Sequence, residues 1–268
     1  MPDRYAVIGN PVAHSKSPWI HAQFARACAQ DIDYTRIEAP LDAFAATVDA
    51  FRAAGGRGAN VTLPFKQEAF RYCAGVSARA REARAVNTLV FDRDEPWGDN
   101  TDGVGLLRDL EGNLCFELRG RRVLVMGAGG AAQGVLPALR SAGPARLVIV
   151  NRTVSKARTL AARFEGTTGC DYEGLEEAAF DLVVNATSAG LVGELPALPS
   201  ARKLFAPGAL AYDMVYGRDT PFLSYARAAE VRTSDGAGML VEQAAESFLV
   251  WRGVRPDTRP VLAALRQG

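Results

Sequence analysis

The chain has 268 residues, 48% of them hydrophobic and 23% charged, with a formal net charge of +1. That length suits one large or two modest domains, and the near-neutral balance gives no reason to expect nucleic acid or an anionic membrane as a partner. Four scattered cysteines without a CxxC pair, two histidines (His14 and His21) and no run of about 18 apolar residues argue against a metal site, a disulfide framework and a membrane span.

The N-terminal segment MPDRYAVIGN enters an apolar strand at 5–8 without the apolar stretch of a signal peptide, so reduced thiols and a cytoplasmic location are expected. Gly9-Asn10-Pro11 ends that strand. A helix is predicted over 18–29, with Ser17 as N-cap and Pro18 at its first position. A strand at 34–37 precedes an amphipathic helix at 41–54, which Gly55-Gly56 stops. Residues 58–62 read as a strand, and Pro64 opens a helix that contains Lys66. Residues 86–92 and 97–98 read as a hairpin pair, and 102–110 as a helix.

From Arg122 the pattern becomes stricter βαβ, with strands at 123–126, 147–150, 182–185 and 210–213 and helices at 131–141, 154–164 and 221–229. Residues 190–207, rich in proline and glycine, read as a surface loop. Two helical segments follow, at 239–251 and 260–265. The fold class is therefore α/β with two domains. The first is expected over 1–101, a cofactor domain over 102–235, and C-terminal helices over 236–268.

One turn carries a specific chemical signal. Gly127-Ala128-Gly129-Gly130-Ala131-Ala132 follows an apolar strand and opens a helix, which fits the G-x-G-x-x-A form of the dinucleotide-binding fingerprint. Gly127 would allow the tight turn, Gly129 the approach of pyrophosphate, and Ala132 close helix packing. About 20 residues on, where NAD sites usually place an acid for the ribose 2′-hydroxyl, this chain has Asn151-Arg152-Thr153 and then Lys156. A carboxylate would repel a 2′-phosphate and the trio of Arg152, Thr153 and Lys156 would attract one, so NADPH is the expected cofactor. Arg152 could instead be a solvated strand-end arginine, and Thr153 a helix cap.

The first hundred residues carry a second polar constellation. Asn10 to Pro18 contains His14, Ser15, Lys16 and Ser17. Ala59 to Lys66 contains Asn60 and Thr62. Asn87-Thr88 and Asp99-Asn100-Thr101-Asp102 complete it. Several of these stretches lie at carboxyl ends of predicted strands, where open parallel sheets bind ligands. Their hydroxyls, amides, ammonium groups and carboxylates suit a small polyhydroxylated carboxylic acid.

These segments, the glycine turn, NRTVSKA, Asn185-Ala186-Thr187-Ser188, Tyr212 to Tyr216 and Asp235 to Gln243 resemble the shikimate dehydrogenase family, in order and over nearly the whole chain. The resemblance implies two α/β domains with a cleft between them, C-terminal helices returning to the first, and reversible reduction of 3-dehydroshikimate to shikimate by NADPH. It implies that Ser15 and Ser17 bind the substrate carboxylate. Thr62, Lys66, Asn87, Asp102 and Gln243 would hold its hydroxyl and carbonyl groups, and Tyr216 would also contact it. Lys66 and Asp102 would be catalytic. Gly127, Ala128, Gly129, Gly130, Ala131, Asn151, Arg152, Thr153, Lys156, Thr187, Met214 and Gly236 would contact NADP. Ala78 stands where the family sometimes has an acid near the cofactor. Plain structural roles are also open: a cap for Ser17 or Asp102, a solvated helix lysine for Lys66, a turn residue for Asn87, a loop histidine for His14. Three other functions compete: a broader shikimate/quinate dehydrogenase, a two-domain reductase of another carbonyl, and a non-catalytic NADPH-binding regulator. No metal is expected. The partner is a small-molecule substrate, and the chain is expected to act as a monomer or homodimer.

Overall fold

A computed structural model describes residues 1–175, 179–187, 189 and 193–267. Ser188 and residues 190–192, part of the motif and loop noted above, lie outside the described residues. The chain divides into two compact units, residues 1–106 with 241–268, and residues 107–240. The sequence reading places the junctions at 101/102 and 235/236.

The first unit starts with β1 (Asp3–Gly9), α1 (Ser17–Ala27), β2 (Ile32–Glu38), α2 (Phe44–Ala53), β3 (Gly56–Val61) and α3 (Lys66–Tyr72). It continues with β4 (Gly75–Val76), α4 (Ala78–Ala83), β5 (Thr88–Val90), β6 (Trp97–Asp99) and α5 (Asp102–Arg108), whose last residues enter the second unit. The sheet order is β2-β1-β3-β5-β6-β4. β1 runs parallel to β2 and β3, while β5 is antiparallel to both β3 and β6. One face carries an apolar cluster of Ile8, Phe44, Val48, Phe65, Val86 and Leu89.

The second unit continues α5 as a π-turn (Asp109–Asn113), then β7 (Arg122–Met126), α6 (Gly130–Ser141), β8 (Arg146–Val150), α7 (Val154–Ala161) and β9 (Thr167–Cys170). After these come β10 (Phe180–Asn185), α8 (Ala201–Leu204), β11 (Phe205–Asp213), α9 (Pro221–Arg227) and β12 (Arg232–Ser234). All pairings are parallel, in the order β12-β11-β10-β7-β8-β9. This is the doubly wound dinucleotide-binding order, with its switch point between β7 and β10. The inner strands are near-continuous runs of buried Val, Leu and Ile, as a sheet covered on both faces requires. Last come α10 (Ala237–Arg252) and α11 (Arg259–Gln267).

Several expectations need correction. Ser17 is the first helical residue of α1, not its N-cap; Lys16 holds that place and makes no side-chain cap bond. α2 starts at Phe44 because a turn, Ala43 N to Pro40 O, occupies the positions before it. α3 starts at Lys66, since the residues after Pro64 close a turn through Phe65 N to Thr62 O. The stretch expected as loop up to 207 contains α8 and the start of β11. A register shift opposite β10 lets Pro207 and Gly208 interrupt the ladder without ending the strand. β4, α4, β9 and β12 had no expectation.

α10 ends against the first sheet. Trp251 Nε1 donates to the Leu89 carbonyl at 2.9 Å, and a Cβ on Gly58 would stand 2.5 Å from that nitrogen. Arg252 donates to Gln30, Asp3 and Tyr5. The seat depends on Gly58 having no side chain. Gly58→Ala is expected to destabilise by about 1–3 kcal/mol through overpacking. A thermal melt should then fall by several degrees, and an unchanged melt would show that α10 tolerates displacement.

Candidate active site

The first unit brings Lys66, Asn87, Asp102 and Gln243 together. Phe65, buried and stacked on Phe44 with ring centroids 5.0 Å apart, anchors the start of α3, and the Lys66 carbonyl accepts from Val86 N. The Lys66 ammonium then lies 2.6 Å from Asp102 Oδ2. The lysine side chain keeps 16% exposure and the aspartate 4%, so the pair is shielded yet open on the lysine side. Asn87 Nδ2 donates to Asp102 Oδ1 at 2.9 Å and to Gln243 Oε1 at 3.2 Å. Both carboxylate oxygens of Asp102 are therefore occupied by donors, and its side chain is not a helix cap.

Local sequence explains this placement. Asn100 Oδ1 accepts from Asp102 N at 3.1 Å and its Nδ2 donates to Ala85 O, which starts α5 at Asp102. The Asp99 carboxylate is gripped by the Arg79 fork at 2.7 and 2.6 Å. Arg79 also pairs with Glu246 of α10, and Arg255 bridges Glu246 and Glu242. Gln243 reaches the cluster because α5 offers Gly105 to α10, where a Cβ would be 2.7 Å from Gln243 N.

Ser15 and Ser17, both buried, lie one hydrogen bond apart: Ser15 Oγ donates to Ser17 Oγ at 3.1 Å. Arg36 fixes the loop by donating to the Ser15 carbonyl. Thr62, half-buried, follows β3; a Cβ on Gly9 would overlap its methyl group at 2.4 Å. His14 is exposed. Four residues of the buried network had no role assigned from sequence. Thr101, Thr88 and Asn60 stand in the quoted segments, and Ser247 sits one turn after Gln243, which was the available signal.

In the second unit, Gly127 has φ +107° and donates to Val150 O at 2.7 Å. A Cβ there would meet Ala186 O at 3.1 Å and Thr187 Cγ2 at 3.3 Å, at the switch point. Gly129 is exposed, and a Cβ on it would meet nothing within 4 Å. Ala128, Gly130 and Ala131 are half-buried beside it, and the N-terminus of the twelve-residue α6 follows. Arg152, Thr153 and Lys156 are exposed after β8, and Asn151 Nδ2 donates to Thr153 O. Thr153 occupies the N-cap of α7 but its side chain makes no cap bond. The cap alternative therefore has no hydrogen bond to support it. Among the described residues neither Arg152 nor Lys156 has an ion pair. Ala78 is exposed at the start of α4.

Asn185, beside the turn, accepts Thr187 N and Oγ1 on its oxygen and donates to Asp213 Oδ2 at 3.0 Å. Burial raises the Asp213 pKa, opposed by donors from Thr220, Val215 and Asn185. Those bonds set the turn that carries Met214 and Tyr216. Gly236 closes on it so tightly that a Cβ would lie 2.3 Å from Met214 O. Among the described residues no cluster of His, Cys, Asp or Glu could hold a metal ion, and no helix is long and apolar enough to cross a membrane.

His21, one turn after Ser17, is wholly buried, stacked on Tyr34 at 4.3 Å. Burial lowers its pKa to about 3, with Asn60 opposing. The native state thus binds the proton less readily than the unfolded chain, whose histidine titrates near 6.5. Stability from this group is complete above about pH 6.5 and drains as pH falls toward 3, by about 1.4 kcal/mol per pH unit. Denaturant unfolding of His21→Phe is expected to show that much less acid sensitivity between pH 6 and 4. Equal slopes would remove His21 from the acid response.

Comparison with known proteins agrees with this architecture. Three family models match: "Shikimate dehydrogenase substrate binding domain" over residues 7–89, "Shikimate / quinate 5-dehydrogenase" over 110–192 and "Shikimate 5'-dehydrogenase C-terminal domain" over 236–266. Shikimate dehydrogenase (NADP(+)) of Methylobacillus flagellatus is 57% identical over 98% of this chain and 99% of its own. The protein of the same name from Nitrosospira multiformis is 56% identical, over 99% and 98%. An Ael1 enzyme from Pseudomonas putida superposes with a TM-score of 0.91 at 51% identity, covering 98% of each chain. Shikimate 5-dehydrogenase from Thermus thermophilus, in complex with NADP(H) and shikimate, superposes with a TM-score of 0.88 at 36% identity, covering 99% of each. With its two sheets, the shielded Lys66–Asp102 pair and these matches along its length, the chain belongs to the NADP-dependent shikimate dehydrogenase family.

Proposed function

We propose that this protein catalyses the reversible reduction of 3-dehydroshikimate to shikimate with NADPH, in the supply of chorismate for aromatic amino acids. The observation that carries this reading is the 2.6 Å Lys66–Asp102 contact, inside the unit that matches the family's substrate-binding domain. The first unit, residues 1–106 with 241–268, serves as the substrate domain, and residues 107–240 as the cofactor domain. We place the protein in the cytoplasm, as a monomer or homodimer.

When bound, NADPH supplies the hydride. Gly127, Ala128, Gly129, Gly130 and Ala131 hold its pyrophosphate, and Asn151, Arg152, Thr153 and Lys156 its 2′-phosphate. Thr187, Met214 and Gly236 line its nicotinamide. Ser15 and Ser17 present two hydroxyls to the substrate carboxylate. Thr62, Asn87 and Gln243 hold the ring hydroxyls. Lys66 donates a proton to the carbonyl oxygen as negative charge builds there. Asp102 accepts from Lys66 and Asn87, so it keeps the ammonium in place and takes up the hydrogen bond of the product hydroxyl. A non-catalytic NADPH-binding protein would not need this pair. The family model that names quinate beside shikimate favours quinate as a second substrate to test.

Oxidation of NADPH followed by absorbance with 3-dehydroshikimate tests the assignment. The reverse reaction with shikimate and quinate, each with NADP and NAD, separates the alternatives, and no turnover with shikimate would overturn it. Lys66→Ala is expected to lower kcat by a factor on the order of 10²–10⁴. The KM for shikimate should change much less. Near-normal turnover would remove Lys66 from catalysis. Arg152→Ala is expected to weaken NADPH by about ten- to a hundredfold, as loss of charge-assisted bonds does. NADH should be little affected, and equal loss for both would refute the 2′-phosphate role.

A further inference from the structure

Between the Ser15–Ser17 pair and the Lys66–Asp102 pair runs a line of buried polar side chains, all within the first unit. The Tyr34 phenol, on β2, donates to Asn60 Oδ1, on β3, at 2.8 Å. With its oxygen occupied, the Asn60 amide turns its nitrogen the other way. Asn60 Nδ2 donates to the Asn87 carbonyl at 3.1 Å, to Thr88 Oγ1 at 3.3 Å and to Ser247 Oγ at 3.0 Å. Thr88 Oγ1 passes its own hydrogen to Asn87 Oδ1 at 2.9 Å. Asn87 Nδ2 then donates to Asp102 Oδ1. At the other end, Ser15 donates to Ser17, and one turn along the same helix the His21 ring stacks on Tyr34 at 4.3 Å, so the helix that carries Ser17 is packed against the tyrosine. From Tyr34 onward the donors run toward Asp102.

Packing alone does not call for such a line, because apolar side chains fill a core without directional demands. Buried polar groups need partners, and a fully satisfied network resists displacement of any member. The ring of Tyr34 is held separately, stacked on His21 at 4.3 Å and beside Trp251 at 6.3 Å. Its hydroxyl is therefore available for the link.

We propose that Tyr34 and Asn60 are positioning residues that lock the carboxylate-holding serines to the Lys66–Asp102 pair, so that binding at the substrate's carboxylate is converted into rate at its carbonyl. This rests on the function proposed above. Interactions remote from the reacting atoms raise kcat only when the structure between the two places is rigid. With the link cut, the carboxylate still binds but no longer aims the carbonyl.

The test compares shikimate with its methyl ester, which lacks the carboxylate charge, in single-turnover oxidation by NADP. The proteins are the wild type, Tyr34→Phe and Thr88→Val. Both substitutions keep the shape of the side chain and remove one hydroxyl, at two separate links of the line. The wild type is expected to oxidise the ester at least about tenfold more slowly than shikimate. Each variant should slow shikimate by about tenfold and the ester by less than about twofold, so the penalty for losing the charge shrinks. A general structural disturbance would slow both substrates alike. An equal ester penalty in all three proteins overturns the relay while leaving the function intact. A wild type that does not oxidise shikimate overturns the function and the relay with it. If one variant fails to fold, the other decides.

Discussion

The N–H of Thr101 settles which way the Asn87 carboxamide faces. A backbone amide can only donate, so its partner at 2.8 Å is the Asn87 oxygen. The nitrogen is thereby turned to Asp102. With the amide reversed, two acceptors would face each other in a buried space, and Asp102 would lose the donor that holds it opposite Lys66. The surroundings of Thr101 keep it in place: Asp99 in the Arg79 fork on one side, the Asn100 turn on the other. The ion pair is thus the visible end of a longer constraint, one that reaches α10 through Glu246 and Gln243.

The two units reach precision by different means. In the first, side chains hold side chains, and the site is a satisfied buried network. In the second, close backbone approach does most of the work. Gly169 against α7 and Gly236 against Met214 leave no room for a methyl group, and Gly127 at the switch point has a positive φ that side chains rarely adopt. The contrast follows from the ligands proposed. Pyrophosphate is held by backbone N–H groups, which need absence of bulk. A ring with several hydroxyls and a carboxylate needs many distinct donors and acceptors at fixed angles.

What could be read from the chain divides on the same physical line. The inner strands of the second sheet are apolar runs bounded by glycine, asparagine or aspartate, and their order follows from βαβ handedness. The strands without expectation are short and at edges. β9 reads TTGC, β12 reads RTS and β4 has two residues, so neither length nor alternation marks them. Ser17 and Asp102 both looked like helix caps because a cap and a ligand-binding group are the same residue type at the same place. Only the neighbours separate the two, Asn100 and Lys16 having taken the positions around them. Asn60 could not be ranked from sequence, since a polar residue in an apolar strand signals burial with partners but names none of them. Tyr34 reads as an ordinary strand aromatic until its hydroxyl is seen on Asn60.

The seat of α10 has a consequence for how the protein is made. The first sheet emerges from the ribosome with Gly58 and Tyr5 on strands that Trp251 later covers, and its polar line lacks Ser247 and Gln243. All of the second unit is synthesised in between. The first unit therefore waits, incomplete, while the second can close on itself, so the later part of the chain is the earlier to finish. A ribosome-bound fragment ending before α10 has the Lys66 and Asp102 side chains but not the helix that completes the network around them. The buried network around Lys66 and Asp102 is complete only once α10 has been made.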